Sequence, residues 1–193
     1  MKAIATRVAF ALGSFVLVFG LIACSPKNVV RGRVVDAETR RPIQGAAIAI
    51  KWYAGPSAER SDQIETIDAA QALSDEKGLF RIPEYPSKQY NLGVYKTGYI
   101  CWSSRDVFLN RPTAGARKPS RPNGSPRMSD GMIIELVPFK NMHSRNLHAG
   151  FTVMVAGEST DNPEGPFHQA IESEYNLWRE NLRKDFQKQL GVK

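Results

Sequence analysis

Between Val29 and Leu136 the chain repeats one pattern: short runs in which apolar side chains fall at every second position, each closed by glycine, proline or a polar turn. A period of two sets alternate residues on opposite faces of an extended strand, so this stretch is committed to β-structure. In residues 29–36, Val30, Gly32 and Val34 share one face and Arg31 and Arg33 the other. After a turn at 37–44, residues 46–52 alternate Ile48, Ile50 and Trp52 with Ala47, Ala49 and Lys51, and Gly45 marks the start of the run. A polar insertion at 53–69 leads to two short runs, 70–73 and 79–82, joined by Ser74-Asp75-Glu76-Lys77-Gly78, where glycine relieves the turn. Tyr90, Leu92 and Val94 alternate next, closing at Lys96-Thr97-Gly98-Tyr99. Residues 100–108 give another run, and Met132, Ile134 and Leu136 complete the series before Pro138. Short strands with no helical period among them predict an all-β domain, an antiparallel β-sandwich.

Some of these residues form a second, more specific succession. Val30-x-Gly32-x-Val34-x-Asp36, Thr39, Pro42-Ile43-x-Gly45-Ala46, Ser74-Asp75-x-x-Gly78-x-Phe80-x-Ile82, Tyr90-x-Leu92-x-Val94 and Gly98-Tyr99 resemble the carboxypeptidase regulatory-like domain over about residues 28–138. The resemblance implies a transthyretin-like β-sandwich of about seven strands. The insertion after Trp52 and the connection at 110–131 are longer than the compact pattern and leave room for a function the family does not imply. Peptidase activity is not implied: in carboxypeptidases this domain accompanies a separate zinc catalytic domain, and 193 residues do not hold both. Neither His-x-x-Glu nor His-Glu-x-x-His occurs, and His168 and Glu172, four apart, match neither spacing.

The N-terminus carries an address. Lys2 and Arg7 precede an uncharged 16-residue apolar stretch, Val8 to Ala23, in the charge order of a secretory signal. The stretch is short for a spanning helix, contains Gly13, Ser14 and Gly20, and ends at a cysteine. Leu21-Ile22-Ala23-Cys24 resembles the lipobox of bacterial lipoproteins, which implies cleavage after Ala23 and a diacylglycerol on the Cys24 thiol. Ser25, with no aspartate there, resembles the pattern sent to the outer membrane of Gram-negative cells. The expected organisation is therefore a signal peptide at 1–23, a β-sandwich at 24–138 and an extension at 139–193. Two cysteines in an exported chain could also pair. Acylation of Cys24 leaves Cys101 alone, in the role of a small buried apolar residue.

Charge narrows the partners. The whole chain carries a formal +7; loss of Lys2 and Arg7 from its 26 basic residues leaves 24 against 19 acidic ones. That excess suits an anionic lipid or polymer surface but is too small to argue for nucleic acid, and none is expected. Arg111, Arg117, Lys118, Arg121 and Arg127 share an acid-free segment with Pro112, Pro119, Pro122 and Pro126. It reads as a solvated loop, or as an electrostatic contact with phospholipid, lipopolysaccharide or cell-wall polymer.

His143, His148 and His168 are expected at the surface or in packing roles, with no metal and no cofactor implied. Ser159, in Gly157-Glu158-Ser159-Thr160-Asp161, lacks the second glycine of a nucleophile elbow. Phe151, Val153 and Val155 alternate as in one further strand. From 166 to 190, Phe167, Ile171, Tyr175, Trp178, Leu182, Phe186 and Leu190 recur every three or four positions, predicting an amphipathic helix with proline in its first turn. Such a stripe packs on its own domain or, given Tyr175, Trp178 and the basic end, meets a partner or a membrane surface.

The leading expectation is a non-catalytic envelope protein, displayed on a lipid anchor and acting as an interaction or structural module. A second is a domain for glycans or envelope polymers, with Trp52, Tyr53, Tyr99 or Trp102 stacking on sugar rings or else buried as core aromatics. An enzyme is the third and has the least behind it.

Overall fold

The computed structural model describes residues 29–54, 65–85, 89–109 and 128–190. Its strands are β1 (Val29–Asp36), β2 (Ala47–Ala54), β3 (Glu65–Leu73), β4 (Leu79–Pro83), β5 (Gln89–Tyr95), β6 (Trp102–Ser103) and β7 (Met132–Leu136). Three helices follow: α1 (Arg145–Ser159), α2 (Pro166–Ala170) and α3 (Glu172–Gln189). The strands form a three-stranded sheet, β4-β1-β7, and a four-stranded sheet, β3-β2-β5-β6.

The two sheets bury the alternating residues against each other. Val30, Val34, Phe80, Ile82, Met132, Ile134 and Leu136 come from the first, and Ile48, Ile50, Trp52, Leu92, Val94 and Trp102 from the second. The period-two pattern sorts these residues inward, with Ile48 opposite Val94 and Ile50 opposite Leu92 in register.

One ladder departs from the antiparallel expectation. β1 and β7 run parallel, with Gly32 opposite Met132 and Val34 opposite Ile134. The chain reaches β7 by a long return rather than a hairpin, and only such a crossover can bring two strands side by side in the same direction. The runs on either side of residues 74–78 also part company, β3 to the edge of one sheet and β4 to the edge of the other. Ser74 fastens this corner: its hydroxyl donates to the Ile43 carbonyl at 2.7 Å and accepts from the Ala46 amide at 2.8 Å. Gly78 completes it at φ +72°, where an added Cβ would lie 2.4 Å from the Val34 carbonyl oxygen.

The strand expected at 100–108 is reduced to Trp102–Ser103. The Ser103 hydroxyl accepts from the amides of Arg105 and Asp106, turning the backbone off the ladder. Phe151, Val153 and Val155, expected in a strand, lie within α1 instead. Three alternating residues are too few to separate the two periods, whereas the buried positions His148, Ala149, Thr152, Val155, Ala156 and Ser159 repeat at helical spacing. Ser144 caps this helix by accepting from the Leu147 amide. The single helix expected at 166–190 is broken at Ile171, whose ψ of 5° ends α2 and whose buried side chain pins the bend.

The helices form a third layer on the outer face of the four-stranded sheet. β2 is buried on both sides as a result, large residues inward and Ala47 and Ala49 outward. Val155, Ala156, Phe167 and Ile171 pack there with Ala47, Ala49, Tyr95 and Cys101. Gly93 sets the distance of approach: a Cβ on it would stand 2.6 Å from Val155 Cγ1 and 3.3 Å from Phe167 Cζ. Full burial of a side chain such as Phe167 stabilises by about 1.5–3 kcal/mol, so the extension from residue 139 is held by a core of its own.

Candidate functional site

Around the alanine floor, polar side chains of the sheet reach up to the helices. Lys51, nearly buried on β2, places Nζ 2.5 Å from Asp161 Oδ1 and 3.3 Å from the Gly157 carbonyl. The Tyr53 hydroxyl donates to the Glu158 carbonyl at 2.7 Å and accepts from the Asn91 amide at 3.2 Å. Gln71 of β3 donates to Thr160 Oγ1 at 2.7 Å, and its carbonyl accepts from the Phe167 amide at 2.8 Å. The end of α1 and the segment joining it to α2 are thus held from β2 and β3.

Deeper in the same layer lies a buried polar group assembled from β5, α1, α3 and Cys101. Glu174, 1% exposed, receives the Tyr95 hydroxyl at 3.1 Å and faces the Arg145 guanidinium at 3.2 Å. His148 Nδ1 stands 3.8 Å from the same carboxylate oxygen, too far for a hydrogen bond. Its Nε2 accepts the backbone N–H of Cys101 at 2.9 Å, which fixes the ring proton on Nδ1, toward Glu174. Burial pushes the Glu174 carboxyl up, but His148, Arg145 and Tyr95 together outweigh it and hold the group below its ordinary value. Burial, aided by the Glu174 charge, raises the Tyr95 phenol to about 12.

Cys101, His148 and Glu174 are residue types that can form a nucleophile, base and carboxylate set. Their geometry serves packing. The imidazole nitrogen that would take a thiol proton is occupied by the Cys101 amide, and burial drives the thiol well above its ordinary value, away from the reactive thiolate. Reading His148 as a packing residue agrees with this placement, but its polar partners, spread from Tyr95 to Glu174 along the chain, leave no local signal in the sequence.

The outermost feature is a face of α3. Of the predicted apolar stripe, Phe167 and Ile171 enter the core, and Trp178 is half-buried against α1, where a Cβ on Gly150 would meet its Cδ1 at 3.6 Å. The rest of the stripe turns outward: Tyr175 is 40% exposed, Leu182 56%, Phe186 62% and Leu190 62%. The two roles weighed for the stripe are divided along its length, packing at the start and an open apolar ridge at the end. Arg179 lies over the Tyr175 ring, 5.8 Å from its centroid. A cleft of about 460 Å³ lined by Pro163, His168, Gln169, Glu172 and Tyr175 flanks one end of the ridge. Another of about 400 Å³, between α1 and α3, is lined by Asn146, Leu147, Trp178, Asn181 and Leu182 among others.

The remaining expected residues fall elsewhere. Trp52 and Trp102 are core residues, and Tyr99 donates to Asp36 Oδ2 at 3.0 Å. These three therefore do not form an exposed aromatic row with Tyr53. Cys24 and the leader before it, and Arg111, Arg117, Lys118, Arg121 and Arg127, lie outside the described residues. Among the described residues, no group of three or more His, Cys, Asp and Glu side chains is placed to hold a metal ion, and no helix is long and apolar enough to cross a membrane.

No protein-family model and no curated protein matches the sequence. Among solved structures, the chain is similar to the pilus 2b backbone protein of group B streptococcus, with 15% identity, 60% of this chain and 43% of that one covered, and a TM-score of 0.35. It is similar to a streptococcal ancillary pilin at 18% identity, covering 60% of this chain and 30% of the pilin, again with a TM-score of 0.35. A third likeness is to the 3-chlorocatechol 1,2-dioxygenase of Rhodococcus opacus 1CP, at 16% identity, 57% and 60% coverage and a TM-score of 0.33. The chain spans less than half the length of these two pilin chains. Likenesses this distant carry no argument about partner or chemistry.

Proposed function

We propose that the chain is a non-catalytic, lipid-anchored protein of the bacterial cell envelope, acting as an interaction or structural module. The observation that carries the reading is the ridge of Tyr175, Leu182, Phe186 and Leu190, which leaves large apolar side chains in solvent on a helix otherwise fixed to the domain. The sequence around Leu21-Ile22-Ala23-Cys24 supports the anchor, and Ser25 supports the outer membrane, facing the periplasm, in a Gram-negative cell. The succession of glycines with Asp75-x-x-Gly78-x-Phe80 and Gly98-Tyr99 supports a transthyretin-like domain as the finer form of the fold.

Metabolic labelling with a fatty-acid probe tests the anchor. The expected result is a labelled chain without residues 1–23, and no label on Cys24→Ser. An unlabelled chain that keeps residues 1–23 overturns it. A photo-crosslinker at position 186 in intact cells tests the module: it is expected to form adducts that the same group at exposed Ser173 does not. Equal adducts from both positions remove the ridge as an interaction surface.

A further inference from the structure

We infer that the ridge of α3 docks into the interfacial layer of an anionic bilayer, with its apolar side chains below the headgroups and its arginines among them; this rests on the membrane-attached reading above. The shape of the surface is the first argument. Tyr175, Leu182, Phe186 and Leu190 lie along one side of a helix at intervals of four to seven residues, a convex line about 22 Å long at 1.5 Å per residue. A convex line, with clefts at its flanks rather than a channel along its crest, suits a deformable medium better than a shaped protein socket.

Charge is the second argument. Arg179 and Arg183 are exposed along one edge of the ridge, Arg179 over the Tyr175 ring, and Lys188 adds a further positive charge in the last turn. The acids of the same turns are Glu180 and Asp185, and Glu180 is already paired with Lys184 at 2.7 Å. Long basic side chains beside exposed apolar residues can lie along the hydrocarbon boundary and hold their charges at the phosphates. A second copy of the chain is a poorer occupant, because a two-fold contact on this ridge sets Arg179 and Arg183 against their own counterparts.

The test uses the chain starting at Ser25, which lacks the leader and the acylation site and keeps every described strand and helix. Its sedimentation is measured with vesicles of phosphatidylcholine alone and of equal parts phosphatidylcholine and phosphatidylglycerol. Binding is expected only to the anionic vesicles, weakened by salt. Leu182→Ser/Phe186→Ser/Leu190→Ser is expected to lower partitioning about a hundredfold, and Arg179→Gln/Arg183→Gln roughly thirtyfold. These positions are exposed, so both variants should keep the parent circular dichroism and melting temperature; if the triple variant does not, Phe186→Ser alone is used, with about a fivefold loss expected. Failure of the parent to bind, equal binding by folded ridge variants, or a dimer that the ridge variants abolish without any vesicle binding overturns the docking. A chain that takes up fatty acid in cells yet ignores vesicles overturns the docking and spares the anchor. Vesicle binding by a chain that is never acylated in cells does the reverse.

Discussion

Lys51 Nζ lies 2.5 Å from Asp161 Oδ1, tying the middle of β2 to the segment that follows α1. The two partners are not equivalent: the lysine side chain is 7% exposed and the aspartate 66%. Removing the aspartate strands a cation in an apolar layer, whereas replacing the lysine with an apolar chain of similar length removes the need for a partner. Asp161→Ala is therefore expected to cost about 1–3 kcal/mol in urea unfolding, and Lys51→Met less than about 1 kcal/mol. The opposite order would show that the pair itself, rather than the burial of the lysine, matters for stability.

Gly93 and Gly150 should respond oppositely to the same methyl group. On Gly93 it meets Val155 at 2.6 Å and forces the helical layer off the sheet, at about 1–3 kcal/mol. On Gly150, inside α1, it meets Trp178 at an ordinary 3.6 Å and gains helix propensity, stabilising by up to about 1 kcal/mol. Thermal melts of Gly93→Ala and Gly150→Ala that shift in the same direction would contradict this account of the interface.

The buried polar group makes the stability of the helical layer sensitive to pH at both extremes. Glu174 titrates below its ordinary value when folded, so its contribution is present above the unfolded pKa near 4.5 and is lost as pH falls through the lower folded value. Tyr95 titrates near 12 when folded against 10.0 when free, so its contribution is whole below pH 10 and is lost as pH rises toward 12. Phenolate absorbance should show, in that alkaline window, a step of one tyrosine that coincides with loss of helix and is absent from Tyr95→Phe. Tyr95→Phe should delay the alkaline transition, while Glu174→Gln should flatten the acid limb.

Cys101 should behave as a packing atom. With its thiol buried and held protonated, the native protein is expected to resist alkylation at Cys101 for hours at neutral pH and to react fully in denaturant. Rapid native labelling at Cys101, followed by mass spectrometry, would mean that the layer around it opens.

The sequence made the sandwich readable because a period of two names both the element and its inner face. Ile48, Ile50 and Trp52 against Ala47, Ala49 and Lys51 even distinguished the two sides of β2, although only the packed helices explain a flat face of small residues. α1 escaped because, Val155 apart, its buried positions are His148, Ala149, Thr152, Ala156 and Ser159, small or polar side chains that mark no apolar stripe. The Glu174 group escaped for another reason: apart from Arg145 and His148, one turn apart on α1, its members Tyr95, Cys101 and Glu174 are brought together by tertiary packing. Across α2 and α3 the periodicity identified helix but could not divide the stripe, since Phe167 and Phe186 look alike until one is seen buried and the other exposed.

The parallel ladder of β1 with β7 fixes an order of events in the life of the polypeptide. β1 is the central strand of its sheet and precedes both of its neighbours along the chain, which arrive with Phe80 on one side and Met132 on the other. Until then an extended valine-rich segment has two open edges, available to any other strand that passes. Contacts so distant in sequence close slowly, so folding speed should be limited by the return of β7, and a chain truncated before Met132 should aggregate through β1 rather than remain as a smaller sandwich.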